Sequence, residues 1–147
     1  MKSKTITLTI DRNVLSRYNE YYFSIHPRAT KEPIKAPYHE SINVWMIMKR
    51  PMMNALKQKW KNFIEWFVSE QGYANLRIER CELFQIVYYP TNRRHDVDNS
   101  IGKFVYDGLV QAQMVVDDDS KHIEEIRLRC GVDKENPRTE LHIKILE

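Results

Sequence analysis

The sequence predicts a single α+β domain spanning residues 1–147, a mixed sheet with two main helices in the order β-α-β-α-β-β. Three observations carry that prediction. Apolar residues alternate with polar ones over residues 5–10, 126–130 and 141–145, the period of a half-buried strand. They recur at spacings of three and four over residues 51–70, the period of an amphipathic helix. A second apolar stripe of helical spacing, over 101–112, lies between two strand-like runs. A chain of 147 residues can bury one sizeable core, and its 4 Gly and 6 Pro leave little room for a flexible linker.

Ile6, Leu8 and Ile10 alternate with Thr5, Thr7 and Thr9, which favours a strand that Asp11 ends. Residues 12–41 carry no clear period. Arg17-Tyr18-Asn19-Glu20-Tyr21-Tyr22-Phe23 is aromatic-rich, and Pro27, Pro33 and Pro37 forbid a regular element after it. Residues 42–48 fit a short strand or the approach to a helix equally well. Pro51 suits a first helical turn, where its missing N–H costs nothing. Met52, Leu56, Trp60, Phe63, Ile64 and Phe67 then form the core stripe of a helix ending near Gly72. Residues 76–89 read as a strand, strongest over Cys81–Tyr89 and ended by Pro90. A second helix is expected to start at Asn99 or Ser100, both good caps, with Ile101, Phe104, Val105, Leu109 and Ala112 facing the core. Lys103, Asp107 and Gln111 share another of its faces. Residues 123–130 and 140–146 are expected to pair as an antiparallel hairpin, with Leu141, Ile143 and Ile145 inward.

No stretch approaches the roughly 18 consecutive apolar residues of a membrane helix, and the basic N-terminus lacks a signal-peptide core, so a cytoplasmic protein with no membrane partner is expected. Cys81 and Cys130 have no His or Cys at metal-ligand spacing and read as small buried apolar residues. Net charge is only +3, but residues 1–94 hold 16 Lys and Arg against 8 Asp and Glu, whereas residues 95–147 hold 7 against 12. A basic body beside an acidic cluster suits cations that meet phosphates and carboxylates that hold a metal. Arg17, Arg28, Lys31 and Lys35, interleaved with aromatic residues, are candidate nucleic-acid contacts.

The chemistry concentrates in Arg93-Arg94-His95-Asp96-Val97-Asp98-Asn99, followed one helix later by Asp117-Asp118-Asp119. In extended backbone Asp96 and Asp98 would share a face and reach one hard cation. Mg²⁺ takes a few protein oxygens and completes its shell with water and substrate phosphate. Such an ion activates water and offsets charge on a phosphodiester. A calcium loop starting at Asp96 is rejected, because Ile101 stands where that loop needs glycine and Asp107 where it usually has glutamate. His95, alone beside the two aspartates, reads as incidental.

Arg93–Asn99, then Lys103-Phe104-Val105-Tyr106-Asp107-Gly108-Leu109, then Val116-Asp117-Asp118, resembles the RusA family of Holliday junction resolvases. The likeness covers residues 93–126; the N-terminal half is similar in organisation only. It implies a small homodimeric, Mg²⁺-dependent endonuclease (Mn²⁺ serving as a substitute) that cuts four-way branched DNA in recombination and repair, encoded by bacteria or their phages. It implies Asp96, Asp98 and Asp118 as catalytic metal ligands, and Lys103 as the lysine supporting cleavage. Arg93 and Arg94 would position the DNA backbone. Three residues, Ser100, Ile101 and Gly102, separate the Asn from the Lys where the family usually has two. Aligning on Ser120 instead of Asp107 would make Asp119 the third acid; Asp118 keeps the family interval from Asp107. Three other functions stay open: a nuclease of other branched or flap DNA, a junction-binding protein whose active site has decayed, and a structural metal domain.

Overall fold

The computed structural model describes residues 4–146, so the basic start at Lys2 lies outside the described residues. The elements are β1 (Lys4–Asp11), α1 (Arg12–Ile25), α2 (Ile42–Trp45), α3 (Arg50–Glu70), β2 (Cys81–Tyr89), a 3₁₀ turn (Val97–Ser100), α4 (Lys103–Gln111), β3 (Ile123–Val132) and β4 (Arg138–Ile145). The four strands form one mixed sheet in the order β1-β4-β2-β3. β4 runs antiparallel to both β1 and β2, and β3 runs parallel to β2. The α+β domain with a mixed sheet follows the sequence prediction.

Burial explains the strand order. β2 and β4 occupy the centre, where Leu83, Leu141 and Ile143 are almost wholly buried. β3 alternates Glu125, Arg127 and Arg129 with Ile126, which is 38% exposed, so it suits an edge, where charge discourages further pairing. The expected β3–β4 hairpin is therefore absent: β2 lies between the two strands. Their connection crosses the C-terminal end of β2, and the Asp133 N–H donates to the Tyr89 carbonyl at 2.9 Å. Asp133 Oδ1 turns that connection by accepting from the N–H groups of Glu135 and Asn136. Arg138 locks it, meeting Asp133 and Glu140 at 2.8 Å each, with its guanidinium 3.9 Å from the Tyr88 ring centre.

Ile6, Leu8 and Ile10 of β1 point into a core that the helices complete, while Thr5 and Thr7 are exposed. Residues 12–25, unread in the sequence, form α1. Asp11 ends β1 and also caps this helix, accepting from the Val14 N–H at 2.9 Å. Val14, Leu15 and Tyr18 are its buried stripe. Residues 42–48 resolve into the single turn of α2. α3 has Pro51 in its first turn, as expected, but Met52 is 59% exposed, and Met53 packs on the core instead. Cys81 is fully buried; Cys130, on the edge strand, is only half-buried, so the expectation holds for one thiol. Among the described residues no helix is long and apolar enough to cross a membrane.

α3 and α4 pack closely because Gly108 has no side chain. A Cβ there would lie 2.5 Å from Ile64 Cβ. That contact fixes α4 against α3, and Lys57 of α3 lies 3.8 Å from Asp107.

Candidate active site

The site grows from the crossover between the parallel strands β2 and β3, which carries the 90–102 loop, α4 and the acidic turn before β3. Its anchor is Gln85, only 1% exposed in the middle of β2. Gln85 Nε2 donates to the Ser100 carbonyl at 2.8 Å, while Oε1 accepts from the Gly102 N–H at 3.0 Å and the Tyr106 hydroxyl at 2.6 Å. This polar node pins residues 100–102, the segment with the extra residue, so that α4 begins at Lys103. Neither Asn99 nor Ser100 caps α4. Gly102 occupies the cap position, and the Ser100 hydroxyl bonds back to the Val97 carbonyl.

The missing local cap is supplied from another part of the chain. His39 is buried against Trp60 and Phe104 and accepts from the Phe104 N–H through Nε2 at 3.2 Å. Its Nδ1 lies 2.7 Å from the Glu40 carbonyl and so carries the proton. Burial lowers the His39 pKa, which favours this neutral tautomer. Glu40 in turn accepts from the Trp60 indole at 2.8 Å. The Thr139 hydroxyl donates to the Pro37 carbonyl at 2.7 Å, tying the proline-rich segment to β4. No sequence period marks this arrangement, so neither His39 nor Gln85 stands out in the sequence.

The Asp96–Asp98 stretch follows β2 through an exposed loop. The His95 ring stacks on Tyr89 at 3.6 Å between centres, which gives it a packing role. Asp96 is extended, but the Asn99 N–H bonds to its carbonyl and closes a 3₁₀ turn. Asp98 therefore sits in a helical turn, and the extended-strand argument for a shared face does not apply. Both side chains are exposed, and Asp96 lies 3.6 Å from Arg94. A shallow pocket of about 220 Å³ beside them is lined by Ser41, Asn43, Tyr89, Arg94, His95, Asp96 and Asn99.

Lys103 and Asp118 are linked electrostatically. The Asp118 carboxyl lies against that of Asp107, and Lys103 is close enough to act on it electrostatically. Partial burial, then hydrogen bonding to and repulsion by Asp107, raise the Asp118 pKa above the usual carboxylate value, while Lys103 opposes the rise. Lys57 of α3 completes the cluster, with Nζ 3.8 Å from Asp107 Oδ2. Asp117 Oδ1 accepts from the Asp118 N–H at 2.7 Å. Asp119 instead serves its own turn, accepting from the Lys121 N–H at 3.0 Å and standing 3.4 Å from His122. Of the two candidate third acids, Asp118 is the one whose carboxyl Asp107 and Lys103 perturb.

Carboxyls held this close repel unless a proton or a cation lies between them. The buried Asp107 Oδ2 has no hydrogen-bond partner. Oxygen donors of this kind fit a hard divalent ion, since Mg²⁺ is commonly bound through one or two carboxylates with water and phosphate completing its shell. Asp96 and Asp98 do not join them: among the described residues no three His, Cys, Asp or Glu side chains converge enough to hold one metal ion.

Of the candidate DNA contacts, Arg93, Arg94, Arg28, Lys31 and Lys35 are exposed in loops. Lys31 and Lys35 border one groove with Lys59 of α3. Arg17 is already engaged, 3.2 Å from Glu70 and over the Trp66 ring. No protein-family model matches the chain, and no curated protein matches it.

Proposed function

We propose that this chain is a Mg²⁺-dependent endodeoxyribonuclease that resolves four-way DNA junctions by paired nicks, acting in the cytoplasm as a homodimer. One observation carries the reading: Arg93–Asn99, Lys103 and Asp107, and Asp117–Asp118 follow in the resolvase order, and the Lys103 charge bears on the Asp118 carboxyl. By motif position Asp96, Asp98 and Asp118 are the proposed ligands of the ion, although the three do not converge in this structure, with Mn²⁺ able to replace Mg²⁺. When bound, the ion supplies an acidified water and offsets charge on the scissile phosphate. Lys103 places a positive charge beside the attacked phosphate or the leaving oxygen. Arg93 and Arg94 hold the backbone of one DNA arm in register, and Arg28, Lys31 and Lys35 extend the basic surface. Two copies related by a twofold axis present two such sites to a symmetric junction.

The test is cleavage of a labelled four-way junction in Mg²⁺ beside three-way, flap and linear DNA of the same sequence. Symmetric nicks confined to the four-way substrate are expected. Preferential cutting of flaps or three-way forms would move the assignment to a nuclease of other branched DNA.

A second reading is favoured by the separation of Asp96 and Asp98 from Asp118: a protein that binds junctions without cutting them. Tight junction binding with no product in either Mg²⁺ or Mn²⁺ would establish it.

A further inference from the structure

Asp107 has no role in the reaction proposed above, yet more of the site converges on it than on any aspartate of the DxD stretch. It sits four residues after Lys103, one turn along α4, so the two side chains share a face. Its side chain is 13% exposed, against 55% for Asp96. It pairs with Lys57 from α3 and also meets the Asp118 carboxyl. Three separate chain segments therefore meet at one carboxylate. The scaffold around it is stiff. The Gly108–Ile64 contact fixes α4 on α3, the Gln85 node fixes the start of α4, and His39 caps it.

We infer that Asp107 is a positioning residue, which orients the Asp118 carboxyl and carries the Lys57 ammonium to the same spot. This rests on the reading of Asp118 and Lys103 as working parts of a metal nuclease. Lys57 is thereby a second lysine at the site, available to a DNA phosphate through its 43% exposed side chain. A carboxylate that holds a ligand without binding the substrate acts on ion affinity and turnover and leaves DNA binding alone. Losing such a partner typically lowers metal affinity about 10–100-fold.

The experiment compares wild type, Asp107→Asn, Lys57→Met and the double variant. For each it measures junction affinity in Ca²⁺, the Mg²⁺ concentration giving half-maximal cleavage, kcat and KM, and the Mg²⁺-induced change in Tm without DNA. Asp107→Asn keeps the volume of the side chain. It is expected to raise the half-maximal Mg²⁺ concentration about 10-fold or more, to shrink the Mg²⁺-induced Tm shift and to lower kcat, with junction affinity unchanged. The double variant is expected to match Asp107→Asn in kcat and Mg²⁺ response, while binding the junction more weakly, as Lys57→Met alone does. If Asp107 served only to neutralise Lys57, the double variant would recover wild-type kcat and Mg²⁺ response, and the inference would fall. It would also fall if Asp107→Asn behaved as wild type. A wild-type protein with neither Mg²⁺ response nor cleavage would overturn the nuclease reading and this inference with it, whereas a cutting wild type with an unaffected Asp107→Asn would overturn the inference alone.

Discussion

Replacing Gln85 by leucine separates the scaffold of the site from its chemistry. The two side chains are similar in size, so the position stays filled. The change removes three hydrogen bonds, of 2.8, 3.0 and 2.6 Å, and leaves the Ser100 carbonyl, the Gly102 N–H and the Tyr106 hydroxyl without their buried partner. Each orphaned buried group costs about 1–3 kcal/mol. Leucine returns roughly 1–2 kcal/mol through burial of added apolar surface. The net loss is roughly 1–8 kcal/mol, with a mid-range value of about 4 kcal/mol, a large part of the roughly 5–15 kcal/mol that holds a domain folded. Tyr106→Phe removes one of the three bonds and still leaves Gln85 bonded to residues 100 and 102, so about 1 kcal/mol is expected. Urea unfolding followed by circular dichroism measures both, and the double variant completes the cycle. Because the node sets where α4 starts, Gln85→Leu should also slow junction cleavage more than it weakens junction binding. A Gln85→Leu loss below about 1 kcal/mol, or one equal to that of Tyr106→Phe, would refute the view that this node organises the 100–102 segment.

Gly108→Ala sets helix propensity, worth about 1 kcal/mol in favour, against a Cβ placed 2.5 Å from Ile64 Cβ. Both are main-chain-proximal atoms, so the clash wins, and a net destabilisation of about 1–3 kcal/mol is expected in the same urea assay. His39 has a folded-state pKa below its ordinary value, so the unfolded chain takes up a proton that the folded chain refuses. Stability from this residue is complete above the ordinary value near pH 6.5 and falls as pH drops toward the folded pKa. His39→Gln, which keeps an acceptor for the Phe104 N–H, should flatten that part of a Tm-against-pH curve; an unchanged slope would contradict the assignment. Burial pushes the Cys81 thiol up to about 11, leaving on the order of one thiolate in a thousand at pH 8. Native protein should therefore take up one equivalent of iodoacetamide, at Cys130, and denatured protein two, as mass spectrometry would count them.

Local rules made much of the fold legible. The alternation at Ile6, Leu8 and Ile10 and the spacing from Leu56 to Phe67 each report a single buried face, which one element's sequence records. α1 was readable in principle: Val14, Leu15, Tyr18 and Tyr22 keep a helical spacing, and Asp11 is a capping residue. The density of aromatics and the prolines just after it obscured that period. The strand order was not legible, because pairing depends on which strand carries the most burial on both faces. A five-residue connection across the end of β2 looks locally like a hairpin loop. The site divides the same way. Asp96, Asp98, Lys103 and Asp118 announce themselves by spacing, whereas Gln85, His39 and Lys57 act through long-range contacts that no short motif encodes. The 3₁₀ turn at Val97–Ser100 is the place where a strand-based argument about side-chain faces failed.

The central claim is that Asp96 and Asp118, which stand apart in the folded chain, serve one metal-dependent cleavage. Its most direct test is the nicking of a labelled four-way junction in Mg²⁺ by wild type, Asp96→Asn and Asp118→Asn, with junction binding measured alongside. The account predicts symmetric nicks from wild type, and undiminished binding with cleavage lowered at least about 100-fold in either variant, in line with losing a charge-stabilising group from a catalytic centre. Cutting at the wild-type rate by either variant would contradict it.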